Sequence, residues 1–454
     1  MTERPNILVM IADDHRYSAI GANGDPVVQT PVLDGLAAGG TSFDQAHIQG
    51  GLTGAICVPS RACLLTGANV FRAAASREIG DQHGLRTLNP ALATLPAVFR
   101  QAGYHTHAIG KWHNDTTSFA NGFQDGARLF FGGMSDHDRV PLHAFDPTGS
   151  YPPDACTPGD GFSTDLFRDA AIDFLNGYQE HDPFFLYLAF TAPHDPRTPP
   201  PDYAARYDPD RIPLPPNFLP EHPFDNGEMR VRDELLDAMP RTPEMVRRHI
   251  AGYYGMISHL DARIGTILDT LAATGRAENT IVVYTADHGL ALGQHGLLGK
   301  QNLYEHSNHI PMILRGPGVP AGTRIDALTY LADLFPTLCD LTGTPIPETV
   351  ESQSLVPLIT GEQALVRDRV YAVYKDVQRM VSDGRWKLIR YHRSAACGNG
   401  TDRLQLFDLA TDPWETRDRS GEPEQQESIR ALTDDLAAWQ REVGDPLPEQ
   451  PARH

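Results

Sequence analysis

The sequence predicts an α/β protein with a doubly wound, mostly parallel central sheet and a smaller C-terminal α+β unit. Three observations carry this prediction. Continuous apolar runs of strand length occur at 6–12, 183–190 and 280–285, the pattern of parallel strands buried on both faces. Segments with helical spacing separate them, and that alternation builds a sheet with helices packed on it. After residue 346 the pattern changes to short strand-like stretches and hairpin turns. The expected division is therefore 1–345 for the α/β domain and 346–454 for the α+β subdomain.

In chain order, the run from Asn6 to Ala12 is a buried strand that ends in Asp13-Asp14. A helix at 31–39 starts on Pro31 and stops at Gly39-Gly40. Cys57-Val58-Pro59-Ser60-Arg61 opens a short helix. Pro59 suits its first turn, where no amide donor is needed, and the helix closes on Thr66-Gly67. Residues 91–102 place Leu92, Leu95, Val98 and Phe99 on one helical face. A strand at 104–109 runs into Gly110-Lys111-Trp112-His113. A helix at 163–177 precedes the strand at 183–190, which ends in Pro193-His194-Asp195. The stretch 195–245 is rich in proline and acid and reads as a long surface excursion, a lid or an interface. Helix resumes over 243–273, and the strand at 280–285 runs into Asp287-His288-Gly289. In the C-terminal part, strands are expected at 369–373, 380–382, 386–391 and 404–409. Asp383-Gly384 makes a hairpin turn, and a helix at 422–442 closes the chain.

Bulk composition excludes several classes. The 454 residues carry 38 basic and 58 acidic side chains, a net charge of −20, whereas nucleic acids and anionic membranes demand a basic footprint. Neither is an expected partner. No apolar stretch reaches the length of a membrane span, and the N-terminal run is too short for a signal-peptide core. The expected location is the cytoplasm, or the periplasm where a leader has been removed. Five cysteines, odd in number and sparse, do not form a disulfide framework. Cys63 lies six residues after Cys57, about 120° around a helix, a poor geometry for a bond between them.

The reactive residues recur at one kind of place. Asp13-Asp14, Lys111 to His113, His194 and Asp287-His288 each follow a predicted strand, and in a parallel sheet such ends converge on one edge. Taken singly, each has an ordinary reading: an aspartate caps a helix, a lysine is solvated, a histidine sits satisfied in a core. Together the carboxylates make a hard, oxygen-rich site for a divalent cation. A lysine after a buried strand is costly unless it meets an anion, and an ordinary imidazole, the side chain at positions 113 and 194, suits general acid–base work near neutral pH. Cations, lysines and histidines around one pocket suit a small oxyanion ester. Cys57 then stands as half a disulfide, a thiol nucleophile or the precursor of something else.

These residues resemble the type I sulfatases of the alkaline phosphatase superfamily. The first signature, Cys-x-Pro-Ser-Arg, three residues, Leu-Thr-Gly, is complete from Cys57 to Gly67. The second, Gly-Tyr to Gly-Lys-Trp-His, is complete from Gly103 to His113. The resemblance implies an alkaline-phosphatase-like core with a large mixed, mostly parallel sheet and a small C-terminal antiparallel sheet. It implies a sulfuric ester hydrolase whose motif cysteine is oxidised to Cα-formylglycine by a maturation enzyme, the hydrate of the aldehyde being the nucleophile. By that resemblance Cys57 is the modified residue, and with Asp13, Asp14, Asp287 and His288 it ligates one divalent metal, calcium first, with manganese or magnesium as alternatives. Arg61 would steady the hydrate, Lys111 and Lys300 would bind sulfate oxygens, His194 would be the general acid and His113 would assist deprotonation. The expected substrate is a small aryl, alkyl or carbohydrate sulfate. A phosphonate monoester or phosphodiester hydrolase of the same superfamily is the runner-up. A cysteine hydrolase with Cys57 as thiolate and His113 as base comes after it, and a non-enzymatic anion-binding protein last. A homo-oligomer, dimer or higher, stays open. His47, His83, Asp115, Glu305, His306 and His309 are candidates for shaping the pocket because they lie near the motifs.

Overall fold

The computed structural model describes residues 4–447. Its strands are β1 (Asn6–Ala12), β2 (Thr41–His47), β3 (Gly50–Gly51), β4 (His105–Lys111), β5 (Asp125–Phe130), the short ribbon β6 (Pro141–Leu142) and β7 (Thr157–Pro158), β8 (Phe184–Ala189), β9 (Thr280–Ala286), β10 (Met312–Arg315), β11 (Thr323–Tyr330), β12 (Val370–Tyr374), β13 (Gln378–Ser382), β14 (Trp386–Tyr391) and β15 (Arg403–Asp408). Eight of them form the main sheet in the order β11-β2-β10-β9-β1-β8-β4-β5. The run β9-β1-β8-β4-β5 is parallel throughout, and β10 alone is antiparallel to its neighbours β9 and β2.

The centre of this sheet follows from its sequence. All seven residues of β1 are buried, as are all of β8 and β9, so each strand is apolar on both faces. The edge strands were not predicted, and their composition explains why. β2 (TSFDQAH) and β5 (DGARLF) mix charge and glycine with apolar residues, and β11 alternates exposed and half-buried positions over its first half. The 31-residue helix Pro243–Ala273 is capped by the Thr242 hydroxyl, which accepts from Met245 N at 3.2 Å, and it packs against the helices Ser163–Gly177 and Pro31–Ala38. A second group joins the helices Cys57–Thr66, Leu95–Gln101 and Leu334–Thr342.

The second sheet runs β15-β14-β13-β12-β3. Its four C-terminal strands are antiparallel, as expected, and the helix Gln426–Val443 lies on them. Its fifth strand comes from far upstream: Gly50 and Gly51 pair in parallel with Val373 and Tyr374. Both must be glycine, since a Cβ at Gly50 would lie 2.0 Å from Val373 O and one at Gly51 2.2 Å from the Pro59 ring. The stretch 195–245 is fastened to the body. Tyr207 and Ile212 are buried, and the Glu234 carboxylate accepts from Leu298 N at 2.9 Å and Gly299 N at 2.8 Å. Among the described residues, no helix is long and apolar enough to cross a membrane.

Candidate active site

Four adjacent parallel strands, β9, β1, β8 and β4, deliver their carboxyl ends to one place. Asp13-Asp14 follows β1, Lys111 ends β4, His194 follows β8 and Asp287-His288 follows β9. The ladder extends past the strands: Asp13 N donates to Ala192 O at 3.1 Å and Asp287 N to Ala12 O at 3.2 Å, so the loops leave the sheet in register. Asp14 and His113 both have left-handed backbone, with φ of 70° and 65°. For a side chain with a Cβ this is a strained conformation, kept where the surroundings fix it.

Cys57 starts its helix at the centre of this group and is 1% exposed. Its Sγ lies 3.1 Å from His288 Nε2 and 3.6 Å from Lys300 Nζ. Lys300 Nζ also donates to Asp14 Oδ1 at 2.7 Å, and His288 Nδ1 is 3.2 Å from the same oxygen. Lys111 Nζ pairs with Asp13 and donates to Gly133 O at 2.6 Å. Arg61 Nε binds Asp287 Oδ2 at 2.9 Å, and its Nη1 donates to Lys111 O at 3.0 Å. His194 Nε2 stands 3.9 Å from Asp14 Oδ2, while its Nδ1 lies 2.8 Å from Asp195 O. The structure thus brings Asp13, Asp14, Cys57, Arg61, Lys111, His194, Asp287, His288 and Lys300 into one contact network. His113 lies beside it, packed against Gly133.

The electrostatics are those of a buried charge cluster. Burial would raise both aspartates, yet Asp13 is held well below the carboxylate range by Lys111 and His194, and Asp14 at about 2 by His194, Lys300 and His288. Burial pushes the Cys57 thiol up, and Lys111 and Lys300 do not reverse it. A raised thiol is the opposite of what the thiolate reading needs. His113, the base in that reading, is itself driven well below its ordinary range by burial and by Lys111. His288 is lowered by burial, so its ring is a neutral nitrogen donor near neutral pH.

The donor set fits a divalent metal. One ligand atom from each of Asp13, Cys57, Asp287 and His288 lies within 4.8 Å of the others, and Asp14, Cys57 and His194 form an overlapping group. Asp13 Oδ1 is buried without a hydrogen-bond partner, although the other carboxylate oxygen is paired. Such an orphan is costly unless a cation takes it.

Several residues contribute that sequence reasoning did not find. His137, 57 residues before His194, contacts His194 O through Nε2 at 2.9 Å. Ser60 Oγ donates to Asp287 O at 2.5 Å. Arg232 binds the Asp195 carboxylate and, at 2.8 Å, Asp233. Gln301, next to Lys300, then joins Asp233 Oδ2 at 2.6 Å to Gly54 O at 2.9 Å. Ser60 lies inside the cysteine motif and was open to inspection; the others have no sequence signal. The six pocket candidates are occupied differently. Asp115 caps the helix Thr116–Gly122, and His83 is exposed. His47 and His309 lie 3.4 and 3.1 Å from Glu305 Oε2, and His306 clusters with His295 and Glu415.

Comparison with known proteins agrees with this geometry. The sulfatase family model matches residues 5–344, and a model described as N-sulphoglucosamine sulphohydrolase, C-terminal, matches 293–442. An N-acetylglucosamine-6-O-sulfatase of Bacteroides thetaiotaomicron is 27% identical over 99% of this chain and 88% of its own length. A solved structure described as a complex with its substrate D-glucosamine-2-N,6-O-disulfate superimposes with a TM-score of 0.81 at 24% identity, covering 98% of this chain and 99% of that one. The phosphonate monoester hydrolase of Agrobacterium radiobacter has the same fold, with a TM-score of 0.75 at 21% identity over 97% and 96% of the two chains. The family uses a divalent metal and a formylglycine. With the cysteine motif whole and its partners gathered at one sheet edge, the chain belongs to the type I sulfatases of the alkaline phosphatase superfamily and hydrolyses sulfuric esters.

Proposed function

We propose that the group around Cys57 cleaves a sulfate monoester of a small carbohydrate, with Cys57 in its formylglycine form and Asp13, Asp14, Asp287 and His288 holding calcium. The carrying observation is that residue 57 meets His288 at 3.1 Å and Lys300 at 3.6 Å, on a site whose Asp13 oxygen has no partner. The metal supplies positive charge for the ester oxygens, and the formylglycine hydrate supplies the nucleophilic oxygen. The chain's own residues do the rest. Lys111 and Lys300 bind the sulfate oxygens and offset charge that grows there in the transition state. Arg61, locked between Asp287 and the Lys111 carbonyl, steadies residue 57 from the next helical turn. His194 has Nδ1 against the Asp195 carbonyl and Nε2 facing the site, which suits proton donation to the leaving oxygen. His113, beside the cluster with Nδ1 unpartnered, would assist proton removal at residue 57.

The carbohydrate leaving group draws its support from the amino-sugar sulfatase at 27% identity. A nitrogen donor, His288, beside Asp287 is what favours the second reading, a manganese-dependent phosphonate monoester hydrolase. One preparation tests both. Peptide mass should show residue 57 as formylglycine, and an aryl sulfate and a 6-O-sulfated amino sugar should turn over far faster than an aryl phosphonate. A strong preference for the phosphonate overturns the sulfate reading.

A further inference from the structure

A second group of metal-type donors stands at the other end of β4. His105 and His107 are two residues apart on one strand, so both rings leave the same face. Asp125 of β5 is the register partner of His107, and its Oδ2 lies 3.1 Å from His107 Nδ1. One donor atom from each of the three lies within 4.8 Å of the others. Tetrahedral nitrogen and oxygen ligands about 2.1 Å from a metal stand about 3.4 Å apart, so small side-chain rotations close the set.

An acidic cavity beside the three residues gives a cation room. The three residues line a cavity of about 720 Å³, whose wall also carries Asp169, Asp173 and Glu180, an excess of negative charge. His107 is 5% exposed, and Nδ1, the nitrogen turned to Asp125, is the one that faces the set. The buried His295–His306–Glu415 triplet differs, because the Lys387 ammonium already sits 2.9 Å from Glu415. We propose that His105, His107 and Asp125 form a second metal site that takes a borderline transition-metal dication of the zinc class. Two imidazoles and one carboxylate select such ions over calcium and magnesium, which prefer all-oxygen shells. Lys111 lies four positions along the strand from His107, about 13 Å, so the site is separate from the Cys57 cluster.

The test uses the whole enzyme with calcium in excess, dialysed against buffered free Zn²⁺, with bound zinc measured by mass spectrometry. Wild type should hold one Zn²⁺ more per chain than His105→Gln and Asp125→Asn. Affinity for that equivalent should fall at least ~10-fold in each variant, with turnover per folded molecule unchanged. Both side chains are partly exposed, so folding is expected to survive either change. Equal zinc content and affinity in wild type and variants would overturn the proposal. So would calcium or magnesium competing as well as zinc does for the extra equivalent.

Discussion

Lys111 and Lys387 have fully buried side chains, and each meets carboxylates, yet the two regions do different work. Around Lys387 two carboxylates meet one ammonium. Glu305 takes Lys387 at 2.7 Å, His309 at 3.1 Å and His47 at 3.4 Å, and Glu415 takes Lys387 at 2.9 Å and the Glu305 amide at 2.8 Å. Around Lys111, Asp13 Oδ1, Arg61 Nη2 and His113 Nδ1 have no partner. A buried lysine held between two carboxylates fastens one layer to another, here β14 to the short helix Glu305–Asn308. A buried lysine paired with one carboxylate, whose other oxygen has no partner, is arranged for something that arrives later.

The contrast can be broken at either end. The largest effect should come from Cys57→Ala, which should lower kcat on an aryl sulfate by about 10⁴-fold or more while thermal unfolding barely moves. Lys387→Met should do the reverse. It strands two buried carboxylates and should cost about 3–5 kcal/mol in denaturant unfolding, with turnover per folded molecule kept. If Lys387→Met abolishes turnover in a stably folded protein, the division of labour is wrong. Arg232→Ala frees Asp195 beside His194 and should lower kcat about 10-fold with a smaller change in KM, the signature of a lost position rather than a lost contact. The smallest effect belongs to a half-exposed network. Asp165, bound by His259 and Arg263, sits at about 2, below its usual 3.8. Its contribution is present above pH 4 and is lost as pH falls toward 2. Asp165→Asn should therefore flatten the acid limb of the stability curve by about 1 kcal/mol after solvent screening.

The sequence made the centre of the fold legible and its margins not. β1, β8 and β9 are apolar on both faces and announce themselves, and residues just past them inherit the position of the site. β2, β5 and β11 sit toward the sheet edges, where polar residues are tolerated and the strand signal fades. The same logic divides the site. Asp13, Lys111, His194 and Asp287 are fixed by local strand ends, whereas Arg232 reaches Asp195 across 37 residues and His137 reaches His194 across 57. Contacts of that separation are set by the folded surface and leave no spacing rule behind.

The parallel pairing of Gly50-Gly51 with Val373-Tyr374 places the chain's history inside its structure. Residue 57 ends up 1% exposed, and the strand that pairs with the nearby Gly50-Gly51 is made 316 residues after it (373 − 57). At ribosomal speeds that interval is roughly 15–60 s. Chemistry done on the Cys57 side chain by another protein needs that residue uncovered, so it comes before the fold closes or demands a local opening.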